Sequence, residues 1–151
     1  MIILLRGHIR NSFNNNRLYF FIKNLCSVYK DITIYIHTWN IMQNNISWRK
    51  MENKNIIITK DIINRYFRDC GKYINKIIID DDKIINLNGN KKGIIAGSLC
   101  PLSGWKNYWY GQYHMINYIN NVNIHRKNEF ILNFRFDIFN NPHGFVERDI
   151  M

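Results

Sequence analysis

The chain has 151 residues, of which 46% are hydrophobic and 15% aromatic, and this composition excludes an intrinsically disordered protein. We expect one domain over residues 1–151, long enough to bury a sizeable core. The net charge is +10, but Lys and Arg are dispersed without a block of five or six, which fits either contact with an anion or a solvated surface.

Cysteine spacing and hydropathy indicate the cellular compartment. The three cysteines lie far apart without a CxxC pair, which favours a reducing compartment and buried thiols over disulfides or zinc. No apolar run reaches the roughly 18 residues of a transmembrane helix. The opening "MIILLRGHIR" becomes charged too early for a signal peptide. We therefore expect a cytoplasmic protein.

The first half of the chain alternates between strand and helix patterns. The apolar run "MIILLRG" predicts a buried strand that ends at Gly7. Residues 16–30 predict a helix capped by Ser12 or Asn14, with one apolar face made of Leu18, Phe21, Ile22, Leu25 and Val28. The β-branched run "DITIYIHTWN" then predicts a strand, and "ISWRKMENKN" indicates a polar connection.

The second half continues this alternation. Thr59 is expected to cap a helix in "TKDIINRYFRDC" that Gly71 ends, and "YINKIIID" predicts the third strand. Residues 83–100 indicate a hairpin-like excursion with turn residues in "NGNKKG". An aromatic helix then begins near Pro101, and its expected inner face holds Trp105, Tyr108, Trp109, Gln112, Met115, Ile116 and Ile119. With "EFILNFRFDIF" as the last strand, the order predicts an α/β fold with a mainly parallel sheet and flanking helices.

Ligands of such sheets bind outside the carboxyl ends of the strands, so the residues that follow each strand are site candidates. The segment "RGHIR" has neither a GxGxxG nor a GxxxxGK[ST] motif. Gly7 nevertheless permits close backbone approach to a ligand, and Arg10, expected at the start of the next helix, suits a diphosphate. The alternative is a surface turn with incidental charge.

Two aromatic side chains follow the second strand. Trp39 suits stacking on a nucleobase, and His37 suits a hydrogen bond to the base or to a phosphate. The alternative is a core tryptophan beside a satisfied histidine.

Carboxylates follow the third and fourth strands. Asp80 and Asp82 would share a face in extended chain and suit Mg²⁺ or Mn²⁺, although we favour the alternative of a charged turn that opens the excursion. Asp137 lies between apolar residues, where a carboxylate is costly to bury unless it is paired or metal-bound. Arg135 is expected on the opposite face of that strand, and a salt-bridged structural aspartate is the alternative for Asp137.

Four segments in this order resemble a family of glycosyltransferases that occur around bacterial surface-polysaccharide synthesis and in large DNA viruses. They are "LLRGHIRNSF", "YIHTWN" followed by "SWR", "GWKNYWYGQYHMINYI" and "ILNFRFDIFNN". The family's motifs read like SGQIRT, IHTW and RFD. The resemblance implies a GT-A-like, Rossmann-like half that binds a nucleotide-sugar donor for transfer to a glycan or other acceptor.

The resemblance also implies roles for particular residues. Asp137 would ligate Mn²⁺ or Mg²⁺ at the donor diphosphate, and this metal would act as a Lewis acid. The nucleotide-sugar-binding residues would be Gly7, His8, Arg10, His37, Trp39 and Arg135.

The sequence departs from this family in two respects. Arg135 stands where a DxD motif has its first aspartate, so a metal-independent or weakly metal-bound site is an alternative. The chain ends 14 residues after Asp137, so we expect a glycosyltransferase or only its donor-binding half, name no catalytic base, and keep an inactive truncated remnant as a further alternative. Charge and aromatic content keep a nucleic-acid-binding module as the competing function.

Overall fold

The structure, a computed structural model, describes residues 1–43, 54–122 and 130–140. In chain order the elements are β1 (Ile2–Arg6), α1 (Arg17–Val28), β2 (Thr33–Trp39), β3 (Ile41–Gln43), β4 (Lys54–Ile57), α2 (Lys60–Phe67), β5 (Ile74–Asp80), α3 (Leu102–Val122) and β6 (Ile131–Arg135). Short 3₁₀ helices cover Ser12–Asn14 and Arg68–Tyr73.

Four parallel strands form the central sheet in the order β5–β2–β1–β6. Helices flank this sheet, so the predicted α/β fold with a parallel sheet and flanking helices is confirmed. The architecture is compatible with a Rossmann-like fold. A second, two-stranded antiparallel sheet of β3 and β4 follows β2, and the sequence did not predict it.

The two faces of the central sheet pack against different helices. Ile3 and Leu5 of β1 lie in one apolar cluster with side chains of α1 and α2. Ile2 and Leu4 lie in a second, smaller cluster with Met115 of α3. Successive strand residues point to opposite faces, so β1 supplies both clusters from one uninterrupted apolar run.

Helix α1 is shorter than its sequence pattern predicts. Its N-cap is Asn16 rather than Ser12 or Asn14, and the side chain of Asn15 accepts a hydrogen bond from the Arg17 N–H at 3.0 Å. The expected apolar residues are buried except Val28, which is exposed because it ends the helix.

Helix α2 begins as predicted and ends earlier. The Thr59 side chain accepts a hydrogen bond from the Ile62 N–H at 3.3 Å, which confirms the predicted cap. The α-helix ends at Phe67, where Arg68 adopts a φ of +49°, and the chain continues as a 3₁₀ helix through Gly71. The prediction of Gly71 as the helix stop is therefore wrong.

The segment between β5 and α3 contains turns and bends. Its single bridge joins Ile94 to Pro101, and no strand lies within residues 83–100, so the excursion lacks the paired strands of a hairpin. The predicted polar connection "ISWRKMENKN", which includes the motif "SWR", lies mostly outside the described residues, and its end forms the start of β4.

The inner face of α3 differs from the predicted one. The buried residues of this helix are Asn107, Gly111, Met115 and Ile119. Trp105, Tyr108 and Trp109 were expected inside and are exposed. The helix therefore places Gly111, which has no side chain, against the sheet, and the side chains of Trp105, Tyr108 and Trp109 lie outside.

The described part of the chain contains no helix with the length and hydropathy needed to cross a bilayer. Cys26, Cys70 and Cys100 are free thiols, but only Cys70 is buried, so the prediction of buried thiols is wrong for Cys26 and Cys100.

Candidate functional site

The order of the strands identifies one crevice at the carboxyl edge of the sheet. From β1 the chain moves outward on one side to β2 and then β5, and it returns to the other side of β1 with β6. The direction of strand addition therefore reverses between β1 and β6. Ligands of open parallel sheets bind at such a reversal, outside the carboxyl ends of the strands.

One row of polar side chains crosses the sheet at this edge. Arg6 pairs in register with His37 of β2 and with Arg135 of β6, so the three side chains leave the same face of the sheet. Arg6 is buried and donates from Nε to Oδ1 of Asn133 at 2.8 Å and from Nη2 to the hydroxyl of Tyr108 at 2.6 Å. Burial lowers the pKa of Arg6 from its usual value.

Two further guanidinium groups surround one carboxylate beside this row. Arg10 donates from Nη1 to Oδ2 of Asp137 at 2.6 Å. Arg135 donates from Nε to Oδ1 and from Nη2 to Oδ2 of the same carboxylate, each at 2.8 Å. We call Arg6, Arg10, Arg135 and Asp137 the arginine cluster. Within the part of the chain that the structure describes, this cluster has three guanidinium groups and one carboxylate, which is an excess of positive charge.

The position of Arg135 corrects the sequence prediction. Strand β6 ends at Arg135, and a turn follows in which the Ile138 N–H donates to the Arg135 carbonyl at 3.2 Å. Residues two apart in a strand lie on one face, so the expectation of opposite faces was wrong even for an extended strand. In this turn Arg135 binds Asp137 directly. The salt-bridged arrangement was the alternative for Asp137.

The loop after β1 has an unusual backbone. Gly7 has a φ of +92°, and a Cβ at this position would meet no atom within 4 Å, so the backbone borders open space. Arg10 has a φ of +54° and donates its N–H to the Met42 carbonyl at 2.9 Å. The sequence predicted Arg10 at the start of α1, but the residue lies in this loop. Arg10 is therefore fixed by tertiary contacts rather than by a helix.

His8 lies among the positive charges of the arginine cluster. Burial, followed by the charges of Arg10 and Arg135, lowers its pKa to about 3. The imidazole is therefore neutral at physiological pH and adds hydrogen-bonding capacity without adding charge.

His37 is part of a buried network behind the crevice. Its ring is 1% exposed, and Nε2 lies 3.1 Å from Oδ2 of Asp80. This hydrogen bond lowers the pKa of Asp80. Burial and the nearby Asp80 raise the pKa of Tyr110. The Nδ1 side of the imidazole packs against Gly111 of α3.

Trp39 belongs to the same interior layer. It is buried, and its ring lies 5.1 Å from that of His37 and 6.0 Å from that of Tyr110. Neither Trp39 nor His37 is open to a nucleobase in this conformation. Trp39 matches the core tryptophan of the alternative, whereas His37 is only partly satisfied, because its buried Nδ1 has no hydrogen-bond partner among the described residues. Contact of these rings with a base stays a prediction.

The donor set does not fit a divalent cation. The Asp137 carboxylate already accepts three charge-assisted hydrogen bonds from two guanidinium groups, and Asp80 is hydrogen-bonded to His37. Over residues 1–43, 54–122 and 130–140, no group of three or more His, Cys, Asp or Glu side chains is gathered as metal ligands require. The predicted metal role of Asp137, and the weaker one of Asp80 and Asp82, stay predictions.

Sequence reasoning missed three residues that hold the site. Asn133 and Tyr108 bind the guanidinium of Arg6, and Gly111 makes room for His37. Asn133 lies two residues before Arg135, so strand alternation places both on one face, and this signal could have identified it. Tyr108 and Gly111 had no such signal, because aromatic residues occur all around α3.

Comparisons of the chain with protein-family models, with curated proteins and with solved structures find no match. The function is therefore inferred from the site itself.

Proposed function

We propose that this chain binds the nucleoside diphosphate sugar used by a glycosyltransferase and is the donor-binding part of such an enzyme. The observation that carries the proposal is the excess of guanidinium groups at the crevice between β1 and β6. The sugar would pass to a glycan or another acceptor. This proposal extends the resemblance described above to the residues of the crevice.

Charge and exposure select the group that would bind the diphosphate. Arg10 is 11% exposed and Arg135 is 40% exposed, so Arg135 is the guanidinium that a ligand reaches first. Its Nε and Nη2 atoms bind Asp137, and Nη1 has no hydrogen-bond partner among the described residues. Planar guanidinium groups match the paired oxygens of phosphates. Several such groups at one edge favour a diphosphate over an anion with a single negative charge.

The open backbone at Gly7 supports the same placement. A phosphate oxygen can approach the backbone there because no side chain intervenes. His8 stays neutral and suits a hydrogen bond to the ribose or sugar hydroxyls. No residue is assigned as the catalytic base.

A thermal-shift panel of UDP, GDP and CMP sugars tests this function. A ligand at a hundred times its Kd stabilises the fold by about 2.7 kcal/mol, which corresponds to roughly 5–10 °C in a chain of this size. We expect such a shift with at least one nucleoside diphosphate sugar, a smaller one with the CMP sugars, and a reduced shift in Arg135→Met.

Arg65→Met is the matched control, since Arg65 is exposed on α2 and binds no described residue. Absence of a shift with every nucleotide sugar would refute the proposal. Binding of an oligonucleotide instead, with affinity that falls steeply with salt, would favour the nucleic-acid-binding alternative.

A further inference from the structure

We propose that the arginine cluster binds the diphosphate without a divalent cation, and that Asp137 is an internal counter-ion that competes with the ligand for the guanidinium groups. This inference rests on the proposed function and specifies its chemistry. In this scheme Arg135 supplies the contact that a metal would otherwise provide.

The first step of the argument is the state of the Asp137 carboxylate. It is 9% exposed, and both of its oxygens accept hydrogen bonds from guanidinium groups at 2.6–2.8 Å. A metal at either oxygen would have to displace an arginine and place its own charge beside two cations. Like charges at such a distance repel strongly where water is largely excluded.

The second step is what remains available to a ligand. Arg6 and Arg10 are held by partners in the interior, and Arg135 is the most exposed member of the cluster. An incoming diphosphate oxygen can replace Asp137 on Arg135 while Arg10 keeps the carboxylate. The carboxylate is then still paired, so the exchange does not leave a buried charge uncompensated.

The third step is that no second acidic side chain binds beside Asp137 among residues 1–43, 54–122 and 130–140. Mg²⁺ and Mn²⁺ prefer oxygen ligands, and the described neighbours of Asp137 in the cluster are cationic. The cluster therefore attracts the anion and repels the metal.

Isothermal titration calorimetry with inorganic diphosphate and with UDP, each in EDTA and in Mn²⁺, tests the inference. We expect binding in EDTA with a Kd within about twofold of that in Mn²⁺. Arg135→Met should weaken binding of both probes roughly ten- to a hundredfold, since charge-assisted hydrogen bonds are lost. Arg65→Met should leave both affinities unchanged.

Asp137→Asn separates the two roles of the carboxylate by the sign of its effect. A counter-ion competes with the ligand, so its removal should tighten diphosphate binding, whereas removal of a metal ligand should abolish Mn²⁺-dependent binding. Circular dichroism checks that the variant is folded. If Asp137→Asn does not fold, the titrations of the wild-type protein and of Arg135→Met in EDTA and in Mn²⁺ still decide whether binding requires a metal.

Each outcome has a distinct meaning. Binding that requires Mn²⁺, or loss of binding in folded Asp137→Asn, overturns the metal-free inference and leaves the proposed function standing. Metal-free binding of diphosphate without binding of UDP or any nucleotide sugar supports the arginine site and refutes the proposed function. Failure of both probes under both conditions overturns the two together.

Discussion

Replacement of Gly111 by alanine should destabilise the protein, although the same change in a helix interior normally stabilises. An alanine Cβ at this position would lie 2.7 Å from Cε1 and 3.1 Å from Cγ of His37, and closer still to Nδ1. Carbon atoms in contact are normally about 3.5–4.0 Å apart. The imidazole cannot move easily because it is buried and bonded to Asp80.

The magnitude follows from two opposing contributions. Overpacking of a buried site costs about 1–3 kcal/mol, and the higher helix propensity of alanine returns up to about 1 kcal/mol. Because the ring is buried and hydrogen-bonded, we place the overpacking near its upper value and expect a net loss of about 2 kcal/mol in the free energy of unfolding. The melting temperature should fall by roughly 4–8 °C.

Urea denaturation monitored by circular dichroism measures this loss. The matched control is Gly71→Ala, because a Cβ there meets no atom within 4 Å and the residue is not in the left-handed region. We expect that control to be neutral or more stable by up to about 1 kcal/mol. In a His37→Ala background, Gly111→Ala should stabilise instead. A wild-type-like Gly111→Ala, or an equal loss in both backgrounds, would refute packing of α3 on His37.

Three further predictions follow from the site. Asp80 has a pKa below its usual 3.8, so its bond to the imidazole of His37 stabilises the fold above about pH 4. The difference in the free energy of unfolding between the wild type and Asp80→Asn should therefore shrink in urea titrations at lower pH. His8 has a pKa of about 3 in the fold and 6.5 when unfolded, so the free energy of unfolding should fall by up to about 1.4 kcal/mol per pH unit as pH drops from 6.5 to 3. His8→Gln should reduce this slope, and NMR titration of the His8 imidazole near 6.5 would contradict the prediction. Tyr108→Phe removes the acceptor of an Arg6 hydrogen bond at 2.6 Å and should cost about 1.5 kcal/mol in the same denaturation assay, whereas Tyr113→Phe at an exposed position of α3 should cost almost nothing.

The sequence predicted the sheet and its helices because their patterns are strong and local. The strands are β-branched or uninterrupted apolar runs, and the cap at Thr59 was recognisable from its residue type. The position of the candidate site at the carboxyl edge of the sheet followed from the order of strands and helices along the chain. The grouping of Arg10, Arg135 and Asp137 at one edge was therefore expected, although their direct contacts were not.

Two features could not be predicted from residue patterns. The aromatic residues of α3 occur on every side, so hydrophobic periodicity gives no reliable inner face, and the choice of Gly111 depends on the bulk of His37 across the interface. The direct bonds between Arg135 and Asp137 depend on the turn that follows β6, since strand alternation places both side chains on one face but does not say which partner each one takes. Both depend on tertiary context.

The sheet separates stability from binding by its two faces. The face that packs on α1 and α2 carries apolar side chains, so substitutions such as Ile36→Ala should lower stability without altering the charge of the crevice. The opposite face changes from apolar residues such as Leu4 to the polar row of Arg6, His37 and Arg135 at its carboxyl end. Buried charges of this kind are costly, and well-packed apolar residues would stabilise the fold at least as well. Among the described residues, two guanidinium groups bind the one carboxylate and a third lies nearby, a balance that suits the anionic ligand proposed above.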